Sequence, residues 1–328
     1  MNQKIRIGII GYGNLGKGVE LALTQNEDME LIGVFSRRDP ASLTLVSPSA
    51  TAYPLADLGE FKEYIDVMIL CGGSKDDLPV QGPEVAEFFT MVDSFDTHAR
   101  IPTYFEDVNL MAKVGGNTAI ISVGWDPGLF SLNRLYGEAV LPQGETYTFW
   151  GKGLSQGHSD AIRRVPGVTA GVQYTLPIQD AIDQVRNGSN PQLSTREKHR
   201  RDCYVVLADG ADAAAVERAI VTMPDYFADY DTNCNFITAE ELQQDHSAMP
   251  HGGFVIRSGK TGFGTDQVME YSLTLASNPE FTASILVAYA RAAFKMNAVG
   301  EIGAKTVFDV APGLLSPKSA TQLREEML

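Results

Sequence analysis

The sequence predicts an α/β protein: an N-terminal domain on a parallel sheet, followed by a second, α+β domain built on a mixed sheet. Three observations carry this expectation. Short apolar, β-rich runs alternate with helical segments through the first third of the chain, the pattern of a parallel sheet covered on both faces. A glycine-rich turn follows the first of these runs and opens a helix. After about Gly124 the runs lengthen, alternate apolar with polar residues and have fewer helices between them, as strands with one polar face do.

Ile5 to Ile10 is the first expected strand and ends at Gly11; a helix then runs from near Asn14 to about Gln25. Glu30 to Phe35 reads as the second strand, and Asp39 to Pro54, rich in Pro, Ser and Ala, as a loop or irregular crossover. Val67 to Leu70 is the third, ending before Gly72 and Gly73; Thr90 to Val92 is the fourth and Ala119 to Val123 the fifth. Beyond them, Thr146 to Trp150, Gln173 to Leu176, Cys203 to Leu207, Phe254 to Arg257 and Val268 to Leu275 read as strands, and Ala211 to Thr222 as a helix. Thr282 to Asn297 predicts a helix capped by Thr282 that returns the chain to the first domain. The expected limits are 1–125 with 295–328 for the first domain and 126–294 for the second. No internal repeat or low-complexity tail interrupts this order.

A chain of 328 residues, 44% hydrophobic and 20% charged, has room for two cores without a metal or disulfide staple. The net charge of −15 disfavours nucleic acid and anionic membrane surfaces, because phosphates demand a basic face. Cys71, Cys203 and Cys234 form no C-x-x-C pair, so reduced thiols in a cytoplasmic protein are expected. The run from Met1 to Ile10 lacks the marks of a signal peptide, and no uncharged apolar run reaches membrane-spanning length. The lack of an H-E-x-x-H or clustered Cys/His set leads us to expect no metal.

Gly11-Tyr12-Gly13-Asn14-Leu15-Gly16 fits G-x-G-x-x-G in the strand–turn–helix context of the dinucleotide-binding, or Rossmann, fingerprint. The first glycine permits the turn, the second admits the pyrophosphate, and the third lets helix and strand pack closely. The second strand ends in Ser36-Arg37-Arg38 where an NAD site usually carries an acidic residue. A hydroxyl and two guanidinium groups suit a 2′-phosphate, so NADP is the expected cofactor; a solvated basic loop is the alternative. Cys71-Gly72-Gly73-Ser74 is a second turn that can pass close to the cofactor, or simply a tight loop.

Two further runs are Val-Gly-Trp-Asp-Pro-Gly at Val123 to Gly128 and Trp-Gly-Lys-Gly-Leu-Ser-Gln-Gly-His-Ser at Trp150 to Ser159. With the turn, the basic loop, Asp93-Ser94-Phe95-Asp96 and Met249-Pro250-His251-Gly252-Gly253, they make the whole chain resemble the meso-diaminopimelate dehydrogenases. The resemblance implies a Rossmann domain, a substrate-binding and dimerisation domain, and a cytoplasmic homodimer serving lysine biosynthesis. It implies NADP-dependent, reversible oxidative deamination of the D-centre of meso-2,6-diaminopimelate to L-2-amino-6-oxopimelate and ammonia. It carries nucleotide contacts onto Tyr12, Gly13, Asn14 and Leu15, Ser36, Arg37 and Arg38, and Cys71, Gly72, Gly73 and Ser74. Ser94, Phe95 and Asp96 and Gly124, Trp125, Asp126 and Pro127 complete that set. Ser94-Phe95 stands where some members have Thr-Tyr, which keeps a hydroxyl and an aromatic ring. It carries substrate contacts onto Asp96, Asp126, Trp150, Gln156, Gly157, Thr175, Arg201, His251 and Asn278, with Asp96 and Asp126 catalytic and holding the reacting amine.

The chemistry of the residues agrees. A substrate with two ammonium and two carboxylate groups needs acids for its amines and donors for its acids. Asp96 and Asp126 each follow an expected strand at its C-terminal end, where open α/β sheets bind ligands. Arg201, His251, Thr175 and Asn278 supply donors. Singly, each has a structural alternative: an Asp after a strand also caps or turns, Arg201 in Lys198-His199-Arg200-Arg201 also reads as solvated, and Trp150 as core. Rival functions are another NADP-dependent D-amino acid dehydrogenase, a lysine-pathway reductase such as dihydrodipicolinate reductase, and a non-catalytic NADP-binding sensor. The histidine pair with downstream lysine of those reductases is missing, as is the Glu-Lys-Pro element of related sugar dehydrogenases.

Overall fold

The structure is a computed structural model and describes residues 4–328; the first three positions of the N-terminal run lie outside the described residues. Two compact units form. One runs to Leu132 and resumes from Pro279 to Leu328; the other is Asn133–Asn278. The sequence places these junctions at 125/126 and 294/295. The observed ones lie inside or at the start of the helices Leu129–Val140 and Asn278–Ala298, and strand and glycine signals do not mark where along a helix one core gives way to another.

In the first unit, β1 (Ile5–Ile10), β2 (Met29–Ser36), β3 (Ala52–Pro54), β4 (Val67–Leu70), β5 (Met91–Asp93) and β6 (Thr118–Ile120) follow in order. In the second come β7 (Gln143–Trp150), β8 (Gly153–Leu154), β9 (Val168–Pro177), β10 (His199–Leu207), β11 (Asp231–Phe236), β12 (His251–Thr261) and β13 (Thr265–Leu275). The chain then adds β14 (Gly303–Lys305) to the first unit. The seven-stranded sheet has the order β14-β6-β5-β4-β1-β2-β3 and is parallel throughout. Ile7, Ile9, Met68 and Ile69 are fully buried in it, as continuous apolar strands covered on both faces must be.

Three details depart from expectation. The stretch read as a loop up to Pro54 contains β3, a three-residue edge strand in which Pro54 is tolerated. The fifth expected strand stops at Ile120, because Ser122 turns left-handed (φ 58°) and gives its N–H to the Asp93 carboxylate at 3.0 Å. The returning helix begins at Asn278, with Pro279 in its first turn, so Thr282 lies inside the helix and is not its cap.

The second unit holds the expected mixed sheet, β11-β10-β9-β8, in which β10 pairs parallel with β11 and antiparallel with β9. Beside it stands a three-stranded antiparallel sheet, β13-β12-β7. Ile162, Val205, Ile220 and Phe227 form the core of the first sheet, and Phe149, Ile182, Val185 and Ile256 that of the second. No helix among the described residues is long and apolar enough to cross a membrane.

Candidate active site

The expected nucleotide loops follow β1, β2, β4, β5 and β6, the neighbouring strands of the central sheet, at their C-terminal ends. Gly11 is left-handed (φ 88°) and donates to the Phe35 carbonyl at 2.9 Å. A Cβ on Gly16 would stand 2.2 Å from the Gly11 oxygen, so only glycine closes this turn. Gly13 faces open space instead, and with exposed Asn14 it starts the helix Asn14–Leu23. Leu15 is half-buried in its first turn. A turn closed on its inner side and open at a helix N-terminus is what a pyrophosphate needs.

The basic loop is organised by its own hydrogen bonds. Buried Ser36 accepts from the Arg38 N–H at 3.0 Å, and the Arg38 guanidinium donates to the Tyr12 carbonyl. Arg37 pairs with Asp77 at 2.5 Å, and the other oxygen of Asp77 accepts from Gly73 N–H at 2.9 Å. Asp77, which the sequence does not single out, thus joins the basic loop to the turn Cys71-Gly72-Gly73-Ser74. The Cys71 thiol is pushed up by burial. The ring of Tyr12 turns inward: its hydroxyl bonds Glu20, and desolvation, helped by that carboxylate, raises it to about 12. Tyr12 therefore offers a nucleotide its backbone only. Phe95 is similar, with its fully buried ring stacked on Tyr104 at 4.1 Å. Both rings are buried in the core of the first unit.

The two candidate acids sit on turns that share one anchor. Asp93, at the end of β5, is fully buried and receives the Tyr104 hydroxyl at 2.6 Å and the N–H groups of Phe95 and Ser122, each at 3.0 Å. Its carbonyl takes Val123 N–H at 2.9 Å. Asp93 so fixes both the turn carrying Ser94 and Asp96 and the start of the turn carrying Gly124, Trp125, Asp126 and Pro127. Burial raises its carboxyl, while the Tyr104 and backbone bonds favour the charged form. Asp96 is exposed and gives its N–H to Ser74 at 3.0 Å. Asp126 is half-buried, joined to Pro127 by a cis peptide bond. Gly124 and Trp125 are buried, and Trp125 meets Phe130 edge-on at 5.2 Å. A strand-end Asp looks like any turn residue in sequence, so nothing there marks Asp93 as the anchor of both turns.

In the second unit the structure gathers the remaining expected residues. Arg201 and Thr175 are register partners across β10 and β9, both buried, and the guanidinium donates to the threonine hydroxyl. Gly151, next to Trp150, packs on the Thr175 carbonyl so closely that a Cβ would stand 2.1 Å from it. Gly151 N–H reaches the Gly252 carbonyl, and Leu154 N–H the Pro250 carbonyl, both at 2.9 Å; these bonds bring the loop after β7 to His251. His251 Nδ1 accepts from Gly252 N–H at 2.8 Å, and only glycine at 153 leaves room for its ring. Met249 joins two more: its sulfur receives Gln156 at 3.4 Å and its carbonyl receives Asn278 N–H at 3.0 Å. Gly157 is exposed beside Gln156 and contributes backbone alone.

Arg201 governs the electrostatics here. It is 6% exposed, its Nε has no hydrogen-bond partner, and no acidic residue among the described residues pairs with it. Two histidines missed in sequence lie nearby in charge. Desolvation and then the Arg201 charge lower His158 to about 4 and His199 to about 3. His199 Nε2 accepts the Trp150 N–H at 2.8 Å, which needs the neutral ring, and the two rings stack at 5.3 Å. Trp150 itself is 36% exposed and so is no core residue.

A parallel sheet with this glycine turn and this basic loop defines a dinucleotide-dependent oxidoreductase. Residues 124–277 match the family described as "Diaminopimelic acid dehydrogenase C-terminal domain". The meso-diaminopimelate D-dehydrogenase of Ureibacillus thermosphaericus is 63% identical over 325 residues, 99% of each chain. The solved structure of Corynebacterium glutamicum DAP dehydrogenase in complex with DAP has a TM-score of 0.92 at 46% identity, covering 99% of this chain and 100% of that one. An engineered D-amino acid dehydrogenase bound to NADP+ has a TM-score of 0.87 at 44% identity, with the same coverage. The chain belongs to the meso-diaminopimelate D-dehydrogenase family.

Proposed function

We propose that this chain catalyses the NADP-dependent, reversible oxidative deamination of meso-2,6-diaminopimelate at its D-centre, giving L-2-amino-6-oxopimelate and ammonia in lysine biosynthesis. The observation that carries the substrate assignment is buried Arg201, a cation with an unpartnered Nε and no acidic partner. Such a group is costly unless an anion completes it, and a distal carboxylate is that anion. Thr175, through its hydroxyl on the guanidinium, and His251 assist it, while Trp150, Gln156, Gly157 and Asn278 are assigned the rest of the amino acid.

The glycine turn and Ser36, Arg37 and Arg38 would hold NADP, which when bound supplies the oxidant for the reacting C–H bond. Asp96 and Asp126 hold the reacting ammonium, accept its N–H bonds and keep its charge balanced while water completes the deamination. Discrimination between the two centres follows from configuration: with the distal carboxylate held by Arg201 and the reacting ammonium by the two acids, only a D-centre turns its hydrogen toward the nicotinamide.

We place the enzyme in the cytoplasm, where its three free thiols stay reduced, and we assign dimerisation to the second unit. Phe263 is fully exposed at the turn between β12 and β13, and Val268 and Met269 are exposed along β13, an apolar edge suited to a second copy. The reaction is tested by NADPH formation with meso- and LL-diaminopimelate and a panel of D-amino acids. Rapid turnover is expected with the meso isomer and NADP+ and little with LL; no turnover of the meso isomer would reject the proposal.

A further inference from the structure

Arg201 is held from a direction that its sequence motif does not show. Tyr230 ends the segment leading into β11 and immediately precedes Asp231, and β11 pairs with β10 so that Thr232 stands in register with Arg201. The Arg201 guanidinium carbon lies 3.8 Å from the centroid of the Tyr230 ring, within cation–π range and at stacking distance. Two residues thus support the guanidinium. The Thr175 hydroxyl takes Nη1, the Tyr230 ring covers one face, and Nε is left buried with a hydrogen and no partner. The Thr232 hydroxyl oxygen beside it in the sheet is also buried and unpartnered. Arginine is flexible, and a guanidinium with no carboxylate to orient it would not stay in one plane without such a support.

We propose that Tyr230 is a specificity-determining positioning residue: its ring fixes the plane of Arg201 so that the free Nε edge meets a substrate carboxylate. The proposal assigns this selection to the ring face and not to the hydroxyl, which also interacts with the guanidinium. Tyr230 then contributes to selection of dicarboxylic over monocarboxylic amino acids without touching the reacting centre. This rests on the assignment of Arg201 to the distal carboxylate.

The test compares Tyr230→Leu, Tyr230→Phe and Arg201→Met with the wild-type enzyme. It measures kcat and KM for meso-diaminopimelate, KM for NADP+, and inhibition constants for pimelate and heptanoate. Loss of the ring removes a cation–π contact, so Tyr230→Leu should raise the KM for meso-diaminopimelate and the pimelate constant by about 5- to 30-fold. Its kcat should stay within about threefold, and heptanoate and NADP+ should change little. Tyr230→Phe, which keeps the ring, should restore wild-type behaviour within about twofold. If Tyr230→Leu does not accumulate as folded protein, Tyr230→Gln is measured in its place and the same numbers apply. Equal weakening of pimelate and heptanoate, an unchanged KM, or a Phe variant as impaired as Leu overturns the role of Tyr230. If Arg201→Met itself fails to separate pimelate from heptanoate, the fault lies instead with the assignment of Arg201.

Discussion

The turns of the first unit and the β10 strand of the second handle charge in opposite ways. Asp96 is exposed and Asp126 half-buried, each on a turn whose backbone is pinned by the buried carboxylate of Asp93. Arg201 is itself buried, on the inward face of a sheet, with a ring at 3.8 Å and a hydroxyl as its supports. In one region a buried acid shapes backbone, and the two acids on its turns stay in reach of water. In the other a cation is itself the buried group.

The largest effect should come from removing the shared anchor. Asp93→Ala leaves Tyr104, Phe95 and Ser122 without their acceptor, and roughly 3–5 kcal/mol of stability should be lost, each buried donor contributing about 1–3. Urea unfolding measures this; a loss below about 1 kcal/mol would mean that Asp93 does not organise both turns. Next, Asp126→Asn keeps shape and removes charge. We expect kcat/KM for meso-diaminopimelate to fall about 10²- to 10³-fold with NADPH binding nearly intact. Wild-type turnover would make Asp126 a turn residue only.

A smaller loss is expected at the basic loop. Arg37→Ala combined with Arg38→Ala should raise the KM for NADP+ by about 10- to 150-fold and that for NAD+ far less. Equal losses for both cofactors would remove the 2′-phosphate assignment. A further effect concerns pH. His158 and His199 have folded values of about 4 and about 3, below the ordinary 6.5, through desolvation and the Arg201 charge. Below pH 6.5 the unfolded chain therefore takes up protons that the folded chain refuses. Stability present above pH 6.5 should fall as pH drops toward 4, by up to about 1.4 kcal/mol per pH unit for each histidine. Denaturation at pH 7 and pH 5 checks the sign, and His158→Gln should flatten the slope.

The same contrast explains what could be read in the sequence. The glycine turn is legible because each glycine does a separate mechanical task at a fixed spacing, and the apolar strands are legible because both faces are buried. β3 and β14 have three residues each, too few to show a period, and β11 is Asp-Thr-Asn-Cys-Asn-Phe, poor in strand formers but paired with β10. The run Lys198-His199-Arg200-Arg201 looks solvated as composition. As a strand it alternates, so His199 and Arg201 go inward at 2% and 6% exposure while Arg200 faces water. Resemblance to the family pointed to Arg201; the residues themselves did not disclose its burial, nor His199 and Tyr230 beside it.

The central claim is that Arg201 is completed by the distal carboxylate of the substrate. It is tested most directly by kcat/KM of Arg201→Met for meso-diaminopimelate and for a neutral D-amino acid such as D-leucine, against wild type. Leaving that carboxylate without its cation should cost about 3–5 kcal/mol, or roughly 150- to 5,000-fold, on meso-diaminopimelate. The neutral substrate should lose far less, because it never uses the contact. A proportional loss on both would contradict the account and make Arg201 a support of the fold.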